Sequence, residues 1–256
     1  MHALAVEMTP PTAYGTVHII VLIVGLSVAV SAAWLLRKIG DRKNNIFMLI
    51  FAGVLIVSEI FKQTFLYYVL CNKSICWGEF PFQMCSLPMY LCPLVVFTKN
   101  ERLRRAAYAF MTCFNILGGF AGAFEPSGVF HEYTVLTVHA VVWHFSLIFL
   151  GCYLIFSRRG TDEKESLIDA IKLFVLFCFI AFVINTLIGI TVGDTVNMFF
   201  VGPNPSPIIV FDKVANKFGW VASTVIYIPI VSLAAAIIYR VAQIGKTDKS
   251  TNYTQN

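Results

Sequence analysis

Charge is the scarcest property of this chain. Only 13% of its 256 residues are Asp, Glu, Lys or Arg, about half of the roughly 25% usual in soluble domains. Hydrophobic residues make up 58%, and mean hydropathy is +0.76. So few charges cannot coat a globule of this size, which excludes an ordinary soluble domain, a nucleic-acid module and a disordered protein. Other signals are missing too. There is no Walker motif, no His-Glu-x-x-His, no internal repeat and no low-complexity linker. The first 15 residues lack a basic stretch, and the first apolar run is long enough to stay as an anchor, so no cleavable signal peptide is expected. The loops are too short to hold a soluble enzyme. Any chemistry must sit among membrane helices.

A membrane-spanning helix needs about 20 mostly apolar residues, because the hydrocarbon core is about 30 Å thick and each residue rises about 1.5 Å. Seven such runs occur, near 16–36, 46–70, 81–98, 106–124, 134–156, 167–190 and 217–239. The expected fold is therefore an all-α, polytopic bundle of about seven spans. The third is short and holds Pro81, Pro88 and Pro93. Each Pro removes an amide donor, so this span is expected to be irregular. Residues 191–216, with their Gly202-Pro203-Asn204-Pro205-Ser206-Pro207 stretch, read as a structured loop or re-entrant piece rather than a helix. Lys and Arg cluster in alternate connections: Arg37, Lys38, Arg42 and Lys43; then Lys99, Arg102, Arg104 and Arg105; then Arg158, Arg159 and Lys164; then the tail from Arg240. The positive-inside rule turns this alternation into an N-terminus outside and a C-terminus inside. Residues 1–246 read as one transmembrane bundle and 247–256 as a disordered cytoplasmic tail. The protein is thus expected to be integral and multi-pass, in the plasma membrane if bacterial.

Ionisable groups at membrane depth cost about 2.5–3.5 kcal/mol each on insertion scales, so each needs a reason. On this topology the polar and ionisable residues gather in the outer half: His18 in span one, Glu59 and Lys62 in span two, Gln83, Cys85 and Ser86 at the start of span three, His139 and His144 in span five, and Asn185 in span six. Asn197 follows just outside, while Asn115 lies nearer the centre. One-sided polarity of this kind suggests a pocket open to the outer leaflet. Plainer readings stand beside it. Glu59 and Lys62 share a helix face at i, i+3 and can neutralise each other. His18 can be an interfacial residue, and Asn185 and Asn197 can make interhelical or loop bonds. His139 and His144 lie about 140° apart around a helix, so one of them is expected to serve packing. Cys92, Cys113, Cys152 and Cys178 read as small buried hydrophobes. Cys71 and Cys76, in the outer loop, are spaced to close a short disulfide.

Two patches carry a resemblance. Pro81, Gln83, Cys85 and Ser86 fit a pattern Leu-Pro-x-His/Gln-x-Cys-Ser/Asn, with Phe80 in place of Leu, and Trp143-His144 form an aromatic-His pair in span five. Weaker matches are His18 and Asn197-Met198-Phe199-Phe200. With this motif set the chain resembles the bacterial YwaF family of integral membrane proteins and the related eukaryotic transmembrane protein 164 family. The resemblance implies a cysteine-dependent acyltransferase acting on lysophospholipids, with Cys85 as nucleophile and His144 as base. More distant androgen-induced-gene lipid hydrolases, which use Thr and His, keep hydrolysis open. Gln83, Ser86, Glu59, Lys62, His18, His139, Asn185 and Asn197 are then the candidate substrate-binding groups. Gln83 or Asn197 would supply an oxyanion donor, and Lys62 would meet a phosphate. The expected partners are membrane lipids and a fatty acyl or lysophospholipid substrate, with no cofactor, no metal and no nucleic acid; oligomeric state is left open.

Two difficulties follow. Counted from the span ends, Cys85 lies about four residues deep and His144 about ten, an offset of roughly 9 Å. His139 matches the depth of Cys85 better and is the physical rival for the base. A non-enzymatic protein that binds or transports a small metabolite, docked to an energising partner by its basic loops, is the alternative function. A metal site from His18, Glu59, Cys85, His139 and His144 lacks any recognised ligand spacing.

Overall fold

The computed structural model describes residues 1–125, 129–160, 164–192, 196–204, 206 and 208–244. The tail expected to be disordered lies outside them. Among the described residues the chain is all-helical, with one isolated bridge between Glu7 and Tyr133. The helices are α1 Thr16–Leu36, α2 Asp41–Phe65, α3 Pro88–Phe97, α4 Glu101–Phe124, α5 Thr134–Phe156, α6 Lys164–Val192, α7 Ile209–Phe218 and α8 Trp220–Gln243. Six of these segments are long and apolar enough to cross a membrane, and α3 is a shorter apolar helix. Val, Ile and Leu side chains stand exposed along α1, α2, α6 and α8, as lipid-facing surfaces require. This is an integral, multi-pass membrane protein.

Proline decides the shape of the third span. Residues 81–87 are not α-helical; Met84–Ser86 form a single 3-10 turn, and α3 begins only at Pro88. Pro suits the first helical position because its missing N–H would be unbonded there anyway. The ten residues of α3 rise about 15 Å, half the hydrocarbon thickness. The irregular span expected from the prolines is therefore a broken one. A second departure runs the other way. Ile209–Phe218, expected to be non-helical, is the helix α7. It packs on α8, with the Ser223 hydroxyl bonded to the Phe211 carbonyl at 2.9 Å. Gly219 joins the two helices at φ 87°, a left-handed conformation that favours glycine.

The helix at the centre is α4. Its start is capped by Asn100, whose side chain accepts from the Leu103 N–H at 3.1 Å. It packs against α3, α5, α6 and α8, and nearly every residue from Ala106 to Gly119 is buried. Phe110, Phe114 and Phe174 form a continuous stack from α4 into α6. Against α5 the approach is closer still. A Cβ on Gly119 would lie 2.9 Å from the His144 carbonyl oxygen, and one on Gly122 would collide with the His144 ring. In a membrane, small residues of this kind let helices gain dispersion contact where no hydrophobic force separates lipid from protein.

The basic connections meet at one end of the bundle. Arg159 donates to the Ile39 carbonyl and pairs with Asp41 at 2.8 Å, and Arg102 pairs with Asp169 at 2.6 Å. Just inside that end, Asn44 donates to the Tyr108 hydroxyl at 3.0 Å and accepts from the Tyr153 hydroxyl at 2.7 Å. The opposite end carries the Cys71–Cys76 disulfide and the N-terminal segment, which bonds to Glu132 and Thr134. We expect Asn44→Ala to destabilise the protein by about 1–3 kcal/mol, since both tyrosine hydroxyls lose a buried partner. Thermal unfolding in detergent would read this. An unchanged midpoint would remove the network from the forces holding that end.

Candidate functional site

Cys85 sits in the 3-10 turn before α3, half-buried, with the Ser86 hydroxyl beside its sulfur. The interrupted helix leaves its carbonyl to another donor, the Trp143 indole N–H of α5 at 3.2 Å. On the other side of Trp143, the His139 ring stacks face to face with the indole at 5.3 Å. His139 Nε2 is buried without a hydrogen-bond partner among the described residues. His144 Nδ1 lies 2.8 Å from the Ala140 carbonyl. A carbonyl only accepts, so Nδ1 carries the proton and the neutral ring keeps its Nε2 lone pair free. No hydrogen bond joins Cys85 to His144 among the described residues.

The depth offset of roughly 9 Å counted from the sequence shrinks to about 6 Å and changes direction. Met84 lies against Gly118, with its Cε 3.3 Å from where a Cβ would stand, and the His144 ring lies against Gly122. Those two α4 positions are four residues, about one turn, apart. Ten residues of α5 precede His144 but only two of α4 follow Gly122, so α5 stands about 12 Å proud of α4. Counting from span ends assumed that all spans begin at one level.

Lys62 is the charge at the centre of the cluster. It pairs with Glu59 at 3.1 Å and Glu79 at 3.5 Å. Gln63 ties the same two residues, donating to Glu59 Oε1 at 2.7 Å and to the Glu79 carbonyl at 2.6 Å. Cys85, His131, His139 and His144 all lie within electrostatic range of Lys62. The neutralising reading of Glu59 and Lys62 and the site reading thus describe the same group of atoms. Glu79 and Gln63 are absent from the sequence-based set. Glu79 lies in a loop, where a lone carboxylate carries no signal.

The amides are committed to backbone. Gln83 Nε2 donates to the Asn197 carbonyl at 3.1 Å, and its Oε1 accepts from the Phe199 N–H at 2.8 Å. Asn185 grips Met198 in the same two-handed way, at 3.0 and 2.7 Å. Asn197 donates to the Asn204 carbonyl at 2.6 Å. These clamps hold Phe199 and Phe200 at φ 54° and 57°, a left-handed region that costs bulky residues about 1–3 kcal/mol each. His18 is in another place. Fully buried, it accepts from the Tyr14 N–H at 3.2 Å and lies 3.0 Å from the Ala123 carbonyl, so it fastens α1 to the end of α4. Among the described residues no three His, Cys, Asp or Glu side chains are gathered as a metal ion would need.

Because Gln83 Oε1 is the acceptor for the Phe199 amide, Gln83→Leu should free that strained turn. Hydrogen exchange at Phe199 should quicken roughly tenfold, the equivalent of about 1.4 kcal/mol. Exchange at the wild-type rate would show that the turn holds without the clamp.

No curated protein and no solved structure matches the chain. A family model, that of the TMEM164 family, matches residues 13–241. That stretch takes in every span, the Cys85 turn, the Trp143-His144 pair and the clamped segment, and on it the chain belongs to the TMEM164 family.

Proposed function

We propose that this protein moves a fatty acyl chain to or from a phospholipid through a thioester on Cys85, with His144 as base. The observation that carries the reading is the bond from the Trp143 indole to the Cys85 carbonyl. It ties the only half-buried free cysteine of the polar cluster to the helix bearing both candidate bases. Acyl transfer by a thiol needs the sulfur anion, a proton acceptor and a nearby cation. Cys85 supplies the first, His144 Nε2 the second and Lys62 the third.

In the first step His144 Nε2 takes the thiol proton. The sulfur attacks the ester carbonyl carbon, a C–S bond forms, and the carbonyl electron pair moves onto oxygen. When that pair returns, the C–O bond of the ester breaks. The leaving alkoxide takes the proton from His144, giving a lysophospholipid and a thioester. An acceptor hydroxyl attacks the thioester by the same steps in reverse. Lipid around the bundle keeps water scarce and favours transfer over hydrolysis.

His139 remains the competing base, since it stacks on Trp143 and its Nε2 is buried and unbonded. The two are separated by treating protein in lipid with a lipid-like, thiol-reactive probe and mapping the labelled cysteine by mass spectrometry. We expect selective labelling of Cys85, none in Cys85→Ser, and a loss of about 10²–10⁴-fold in His144→Ala. His139→Ala should label nearly as wild type. If only the His139 change slows labelling, the base is His139. Labelling scattered over several cysteines and indifferent to both histidines would instead favour a protein that binds or transports a small metabolite.

A further inference from the structure

One face of α4 looks into the seam between the Cys85-bearing span and α5. At 100° per residue, Asn115 and Gly122 lie about 20° apart, with Met111, Gly118 and Gly119 within about 60° of Asn115. The neighbours of this face are known at each level. Met111 meets the Cys92 sulfur at 3.6 Å, Gly118 meets Met84, Gly119 meets Ile148 and the His144 carbonyl, and Gly122 meets the His144 ring. Asn115 falls between the Cys92 and Met84 levels. It is three residues, about 4.5 Å along the axis, from the position opposite Met84.

Asn115 is 0% exposed, and among the described residues neither Nδ2 nor Oδ1 has a hydrogen-bond partner. Six other buried polar side chains of this bundle, His18, Asn44, Glu59, Thr112, Asn185 and Ser223, each hold a protein group. His139 Nε2 and the Ser157, Thr224 and Ser232 hydroxyls also lack a partner among the described residues, but Asn115 leaves a whole amide unmet. Leaving a buried amide unsatisfied costs about 1–3 kcal/mol, and the hydrocarbon around the bundle offers no bulk water to relieve it. Leucine would fill the same space without that cost. A polar side chain at this position fits a ligand that brings its own oxygen.

We infer that Asn115 donates from Nδ2 to the carbonyl oxygen of a lipid acyl ester, or of the Cys85 thioester, seated in the seam between α3 and α5. This rests on the acyl-transfer reading and supplies the oxyanion donor that Gln83, held to backbone, does not. When the sulfur adds to the carbonyl, charge builds on that oxygen, so the bond strengthens in the transition state. The proton stays on nitrogen throughout.

The test compares wild type with Asn115→Leu in lipid nanodiscs, using two probes and a melting curve. The first probe is a long-chain p-nitrophenyl ester, with acylation of Cys85 followed by mass spectrometry. The second is an unreactive fatty amide carrying a diazirine, whose cross-linking reports binding without chemistry. We expect acylation to fall about 10²-fold or more, cross-linking to α4 to drop, and the melting point to hold or rise. Acylation at the wild-type rate overturns the inference and leaves the function standing. A clearly lower melting point also overturns it, making Asn115 a structural residue. If wild-type Cys85 is not acylated at all, the acyl-transfer reading fails and Asn115 is judged by the amide probe alone. Cross-linking that drops in Asn115→Leu keeps it as a lipid-carbonyl ligand; cross-linking that does not drop removes that role as well.

Discussion

Backbone that leaves helical geometry inside a bilayer has no water to bond to, and this constraint organises the third span and its surroundings. The break in that span falls at residues 81–87, between Pro81 and Pro88, while Pro93 lies inside α3. Three carbonyls of this span take a side-chain donor instead of a helical amide. Trp143 takes the Cys85 carbonyl, the Tyr90 hydroxyl takes that of Pro81, and Arg104 takes that of Val95. Gln83, on the broken span itself, serves the equally irregular turn at 197–199. The polar side chains of this region are therefore consequences of the break as well as candidates for chemistry.

The two ends of the bundle meet the same constraint differently. At the basic end, Asn44, Tyr108 and Tyr153 close on one another, and ion pairs lock the connections. At the other end, bonds run between elements that are not regular helices: the 3-10 turn at Cys85, the turn at Phe199, the loop at Glu79. Such bonds need less of the fold to open before they exchange partners. The bundle is thus closed on itself by ion pairs and a tyrosine–amide network at one end and held by side-chain bonds to irregular backbone at the other.

Much of this was legible in the residues. Apolar length placed the spans, and 134–156 coincides with α5 because a long run bounded by polar residues leaves little choice of ends. Three prolines in one short run foretold the broken span. The relative depth of the spans was not legible, because how far α5 stands beyond α4 depends on glycine contacts between them. Helix α7 was missed because its ten residues mix Asp, Lys and Asn with apolar ones and follow a proline-rich stretch. Gln83 reads as a candidate substrate group, and Asn197 as either that or the maker of an interhelical or loop bond. That one bonds the backbone of the other is a pairing across 114 positions, and no local pattern announces it.

His18 and Asn115 show where sequence reasoning about membrane polar residues divides. Both are fully buried, and insertion cost alone marks both as exceptional. His18 is accounted for by its two backbone neighbours, and its polarity serves the fold. Asn115 has no such account within the described chain. Folding requires every buried polar group to find a partner, so bonded groups say mostly how the bundle holds together. Asn115 and His139 Nε2 are among the buried groups without a partner in the described chain, and they lie on α4 and α5, the helices that border the Cys85 turn. A bound molecule that answered either would satisfy a cost already present in the empty fold.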